Sequence, residues 1–196
     1  METQLRKWEQ SGRPAPPPDV WKQRVVRQHG ERFSLRVLVE TGTFLGDMVY
    51  AMQDQFDHII SIELGNVLYL HAVLRFIRLR NIRILHGDSA RVLVKVLGWL
   101  REPALFWLDA HYSGGITTKG NKETPIVEEL MAIFAHPIKG HVILIDDARE
   151  FNGTKDYPTL DTLRVLVARH GFVLEVRDDI IRIYEANSAS SGRSIP

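Results

Sequence analysis

Five short apolar runs, each closed by an acid, alternate along the chain with helical patterns, and no other feature narrows the possible folds so far. The runs cover residues 36–40, 58–63, 82–85, 104–108 and 141–145, and the acids are Glu40, Glu63, Asp88, Asp109 and the pair Asp146-Asp147. Runs that are apolar throughout, without strict alternation, predict strands buried on both faces. Helices are expected between them. One runs from Val20 to His29 and another from Gly46 to Gln53. A third carries Val67, Leu70, Leu74 and Ile77 on one stripe, spaced by three and four residues. Ser89 is expected to cap the helix carrying Val92, Leu93, Val96 and Leu97. Thr124-Pro125 reads as the start of a helix with Ile126, Leu130, Ile133 and Phe134 on its inner face. Leu160, Leu163 and Leu166 or Val167 mark one more. Two last strands, 172–176 and 180–184, flank only Arg177-Asp178-Asp179, a connection short enough for an antiparallel hairpin alone. The expected fold is α/β: a doubly wound, seven-stranded, mostly parallel sheet with a C-terminal antiparallel hairpin.

A chain of 196 residues suits one domain, expected over residues 19–186. Residues 1–18, with Pro14, Pro16, Pro17 and Pro18, read as an extended N-terminal arm, and the Ser-rich stretch 187–196 as a disordered tail. The formal net charge is +1, without the basic excess that nucleic-acid binding requires. The chain has no cysteine, which removes thiolate metal sites and thiol nucleophiles. No apolar run is long enough to span a bilayer, and the N-terminus lacks a signal-peptide core. The expectation is a cytoplasmic protein that acts on a small molecule, without nucleic acid or membrane as partner and with a homo-oligomer left open.

Ligands of open parallel sheets bind beyond the carboxyl ends of the strands, where the strand order reverses. The first such turn reads Glu40-Thr41-Gly42-Thr43-Phe44-Leu45-Gly46. It holds two glycines, not the three of a dinucleotide fingerprint, with Phe44 near the place of another. That favours a ligand without phosphates. Glu63 follows Glu40 by 23 residues, where an acid can accept two hydrogen bonds from a ribose diol. Asp88 can accept from an adenine amino group or cap the next helix.

Together the glycine turn, the acids after the second and third strands and the terminal hairpin resemble the class I S-adenosylmethionine-dependent methyltransferases, whose fold is Rossmann-like. Within them, residues 39–46 and the pattern Asp109 … Asp146-Asp147 resemble the metal-dependent O-methyltransferases, both those acting on sugar hydroxyls and the catechol type. The resemblance implies S-adenosylmethionine bound by Glu40, Thr41, Gly42, Thr43 and Gly46 at the methionine moiety, Glu63 at the ribose, Asp88 and Ser89 at the adenine, with Asp109 alongside. It implies a divalent cation, Mg²⁺ by preference, on Asp109, Asp146 and Asp147, and transfer of the methyl group to a hydroxyl. The catechol enzymes carry a lysine where this chain has Tyr112. His111 is the alternative general base, in a polar loop over residues 111–122 that reads as a lid over the acceptor. An NAD-dependent oxidoreductase and a non-catalytic protein that keeps the fold remain as alternatives.

Overall fold

A computed structural model describes residues 2–109 and 124–186. The order of elements is α1 (Glu2–Gln10), α2 (Asp19–Arg32), β1 (Val37–Thr41), α3 (Asp47–Met52), β2 (His58–Glu63), α4 (Asn66–Phe76), β3 (Ile82–His86), α5 (Ser89–Trp99) and β4 (Ala104–Leu108). After the undescribed stretch come α6 (Ile126–Phe134), β5 (Val142–Ile145), a 3₁₀ turn (Ala148–Glu150), α7 (Leu160–Arg169), β6 (Phe172–Arg177) and β7 (Ile180–Glu185).

The strands form one seven-stranded sheet in the order β3-β2-β1-β4-β5-β7-β6. All pairs from β3 to β5 are parallel, and β7 runs antiparallel to both β5 and β6. This is the doubly wound sheet with a terminal hairpin that the sequence predicts. Side chains of successive strand residues point to opposite faces, so an all-apolar strand feeds two cores. Val37, Val39, Phe106, Leu108, Ile143 and Ile145 join α5, α6 and α7 in one core. Leu38, Leu105, Trp107, Val142 and Leu144 join α1, α2 and α3 in the other.

The structure corrects the sequence reading in three places. The arm before residue 19 is not extended throughout, because α1 buries Leu5 and Trp8. Trp8 packs on Trp21 with ring centroids 5.2 Å apart. The amphipathic spacing of Leu5 and Trp8 is too short to show above its charged neighbours.

The stripe Val67, Leu70, Leu74 and Ile77 is not the inner face of α4. These residues are 81%, 57%, 62% and 70% exposed, and Leu68, Ala72 and Phe76 are buried instead. The helix is apolar on both sides, and Ala72 lets its backbone approach the sheet where a leucine would hold it away. Finally, Asp88 caps α5, its carboxylate accepting the Ala90 N–H at 2.9 Å, and Ser89 is the first helical residue. Among the described residues no helix is long and apolar enough to cross a membrane.

Candidate active site at the carboxyl edge of the sheet

The strand order reverses between β1 and β4, which opens a crevice beyond their carboxyl ends. The parallel ladders carry one residue past the strands here. Gly42 N donates to Ile62 O at 2.9 Å, Gly87 N to Glu63 O at 2.9 Å, Asp109 N to Thr41 O at 3.0 Å and Asp146 N to Leu108 O at 3.2 Å. Backbone register therefore lines up the acids that the sequence singles out.

On the β1 side, Glu40 is buried with its carboxylate accepting the Ser61 hydroxyl, and Ser61 meets Thr43 at 2.6 Å. Burial pushes the Glu40 carboxyl up to about 8, with the Ser61 bond working the other way. Gly42 and Gly46 take left-handed backbone at φ 84° and 82°, and so does Phe44 at φ 50°. Phe44 thus occupies a backbone conformation that glycine adopts at lower cost. Glu63 ties the edge together. Its Oε2 accepts the Phe44 N–H at 2.8 Å and its Oε1 the Gly65 N–H at 2.7 Å.

On the β4–β5 side, Asp109, Asp146 and Asp147 converge, each offering a carboxylate oxygen within 4.8 Å of the others. Asp146 and Asp147 are buried. Burial, then the neighbouring Asp109, pushes the Asp146 carboxyl up to about 7. Asp147 sits in left-handed backbone at φ 56°, which turns the chain and brings its carboxylate back to the cluster. Among the described residues, two cations face the three acids. Lys22, in the first turn of α2, bonds Asp146 Oδ2, and Arg149 Nη1 bonds Asp147 Oδ1 at 2.7 Å while also pairing with Asp179. Burial opposes the charge on Lys22, but the facing Asp146 carboxylate holds its pKa above the ordinary lysine value.

Two site residues escape the sequence reading. One is Lys22, for which the sequence carries no signal. The other is Glu129, buried on the inner face of α6, which shares a small pocket with Asp109, Asp146, Thr124 and Tyr157. Burial pushes the Glu129 carboxyl up to about 7, against the effect of the nearby Ser89 hydroxyl, and Oε1 has no hydrogen-bond partner among the described residues. A signal for it exists, because Glu129 stands on the stripe of Ile126, Leu130 and Ile133 where an apolar residue belongs. Asp88 is present at the edge, but its carboxylate caps α5. His111, Tyr112 and the predicted lid over residues 111–122 lie outside the described residues, as does the tail 187–196.

The fold is shared with solved methyltransferase structures. The O-methyltransferase TomG from Streptomyces achromogenes, involved in tomaymycin synthesis and solved in complex with SAM, superposes with a TM-score of 0.64 at 13% identity, over 93% of this chain and 86% of its own. An O-methyltransferase from Bacillus cereus solved with SAH gives 0.60 at 15% identity, over 94% and 90%. The SAH-bound methyltransferase PaMTH1 from Podospora anserina gives 0.60 at 14%, over 84% and 77%. No family model and no curated protein sequence matches the chain.

Proposed function

We propose that the chain is an S-adenosylmethionine-dependent methyltransferase that transfers a methyl group to a hydroxyl of a small molecule at a carboxylate-lined metal site. The observation that carries this reading is the row of acids at the β1–β4 crevice, Glu40 and Glu63 on one side and Asp109, Asp146 and Asp147 on the other. The likeness to SAM- and SAH-bound structures supports the cofactor.

In this reading the turn from Glu40 to Gly46 holds the methionine moiety, with Thr41 and Thr43 among its polar groups. Glu63 is preorganised by Phe44 and Gly65, and its remaining lone pairs face the ribose diol. Asp88 and Ser89 border the adenine. Bound there, the cofactor would supply an electrophilic methyl group, whose transfer to the acceptor oxygen would break the C–S bond with its electron pair on sulfur. Rate would come from positioning the acceptor against the methyl group. The acceptor's proton passes to a base, for which His111 remains the candidate.

The carboxylates Asp109, Asp146 and Asp147 suit a hard divalent cation such as Mg²⁺, since all three donors are oxygens, and burial, then the neighbouring Asp109, already raises Asp146. Bound there, the cation would lower the pKa of the acceptor hydroxyl and orient it. The acceptor is read as a sugar or natural-product hydroxyl, and the protein as cytoplasmic, with a homo-oligomer consistent with the reading.

Calorimetry with S-adenosylhomocysteine tests the cofactor. Wild type should bind it, and Glu63→Ala should weaken binding by about 1.5–3 kcal/mol, the worth of hydrogen bonds to a charged acceptor. Binding of NAD in its place, or unchanged affinity in a folded Glu63→Ala protein, would reject the assignment.

A further inference from the structure

Lys22 stands 124 residues before Asp146 and belongs to no motif of the site, yet its ammonium bonds directly to a carboxylate of the metal cluster. We propose that Lys22 is a tethered counter-ion that competes with the divalent cation for Asp146, so that the cation loads only as Lys22 leaves. The inference rests on the divalent-cation reading above.

Asp146 has two oxygens, and each already accepts a hydrogen bond. Oδ1 accepts the Asp147 N–H at 2.9 Å and Oδ2 accepts Lys22. A cation ligated by Oδ2 at the usual distance of about 2.0–2.6 Å would meet the ammonium on the same atom. Two like charges cannot share that oxygen in a buried site without strong repulsion. The backbone of α2 does not move to relieve it, since Trp21, Val25 and Val26 anchor this helix in the core. The four-carbon stem can move instead. Its side chain is 16% accessible, enough for the ammonium to reach solvent by changing rotamer.

Arg149 is placed differently. It follows Asp147 by two residues and is held by Asp179 as well, so it retains a partner when the cluster changes charge. Of these two described cations, Lys22 is the one that exchanges. Without metal it neutralises part of the cluster and ties α2 to the end of β5. With metal it is released.

The test uses the full chain, stripped with EDTA and titrated with Mn²⁺ by calorimetry, as wild type, K22M and D146N. K22M should bind Mn²⁺ at least about tenfold tighter than wild type, the effect of removing one competing charge. D146N should lose the binding. An independent readout needs no variant: acetylation of Lys22 in wild type, followed by mass spectrometry, should speed up when Mn²⁺ is added. If wild type binds Mn²⁺ but K22M binds no tighter, or Lys22 labelling does not change, the competition is overturned and the metal reading stands. If neither wild type nor K22M binds Mn²⁺, both are overturned.

Discussion

Gly46 shows how closely the loop proposed to hold the cofactor is fitted to the core beneath it. A Cβ placed there would lie 2.7 Å from Phe76 Cε2 and 3.0 Å from its Cζ, on a ring that is buried and cannot swing aside. The backbone is also left-handed, at φ 82°. Gly46→Ala should therefore cost about 1–3 kcal/mol by thermal or denaturant unfolding, from backbone strain plus displacement of the ring. Gly98 is the control: it lies in α5, where an added Cβ would have nothing within 4 Å, so Gly98→Ala should stabilise by about 0.5–1 kcal/mol. A neutral Gly46→Ala would mean that Phe76 yields easily and the loop is loosely held. Residues at this scale differ in how far the sequence exposes them. Glu63 is legible because chain spacing alone puts it at a strand end, and Gly46 because it opens the helix after the first turn. Glu129 is legible in retrospect as a charge on an apolar stripe. Lys22 is not, since a lysine in the first turn of a polar helix looks solvated until the tertiary fold brings α2 to the end of β5.

Among the elements, α4 separates what a sequence pattern says from what packing decides. Its residues offer two apolar faces, and spacing favours Val67, Leu70, Leu74 and Ile77. The sheet takes Leu68, Ala72 and Phe76. Periodicity counts apolar residues, whereas docking depends on how near the helix axis can come, and a small residue at the contact decides that. The consequence is measurable. Leu74→Ser should change stability by no more than about 0.5 kcal/mol, as surface substitutions do, while Phe76→Ala should cost about 3–5 kcal/mol. Equal losses at the two positions would show the leucine stripe to be core. The strands are far easier to read than α4. All five runs are parallel strands of the same sheet, and β4 and β5 are apolar at every position because both of their faces are buried, whereas the edge strand β3 is only half-buried. The helix α1 escapes the sequence pattern because it is short and its apolar pair is separated by charge.

Across the whole molecule the two edges of the sheet hold opposite kinds of titratable group. At the amino edge, Ala104 N donates to His141 Nδ1 at 3.0 Å, which places the His141 proton on Nε2. That proton faces His136 Nδ1 at 2.8 Å, and His136 Nε2 in turn meets Leu97 O at 2.9 Å. The relay joins β4 and α5 to the segment between α6 and β5, and it needs the His141 ring neutral. Burial lowers His141 to about 4, and burial lowers His29 to about 4 as well. At the carboxyl edge, burial raises Glu40 to about 8, Glu129 to about 7 and Asp146 to about 7. The signs then follow by linkage. A histidine with a lowered folded pKa gives stability that is present above its ordinary value near 6.5 and lost as pH falls toward 4. An acid with a raised folded pKa gives stability that is present near its ordinary value of about 4 and lost as pH rises through 7 to 8. Between about pH 4.5 and 6.5 the two edges oppose each other, two histidines against three acids, so the acids prevail and the melting temperature should already fall, though less than the acids alone would make it. Above pH 6.5 the histidines are neutral in both states and only the acids act, each by at most about 1.4 kcal/mol per pH unit. In EDTA the melting temperature should therefore fall from pH 6.5 to 8.5. Glu40→Gln should flatten the fall and raise stability at pH 8, because an amide can take the Ser61 bond without the cost of burying charge. The same change should weaken S-adenosylhomocysteine binding, since the carboxylate that costs stability lies beneath the loop proposed to hold the cofactor. A melting temperature that rises over this range, or a Glu40→Gln protein that melts lower at pH 8 than wild type, would show that the buried acids are already relieved within the fold.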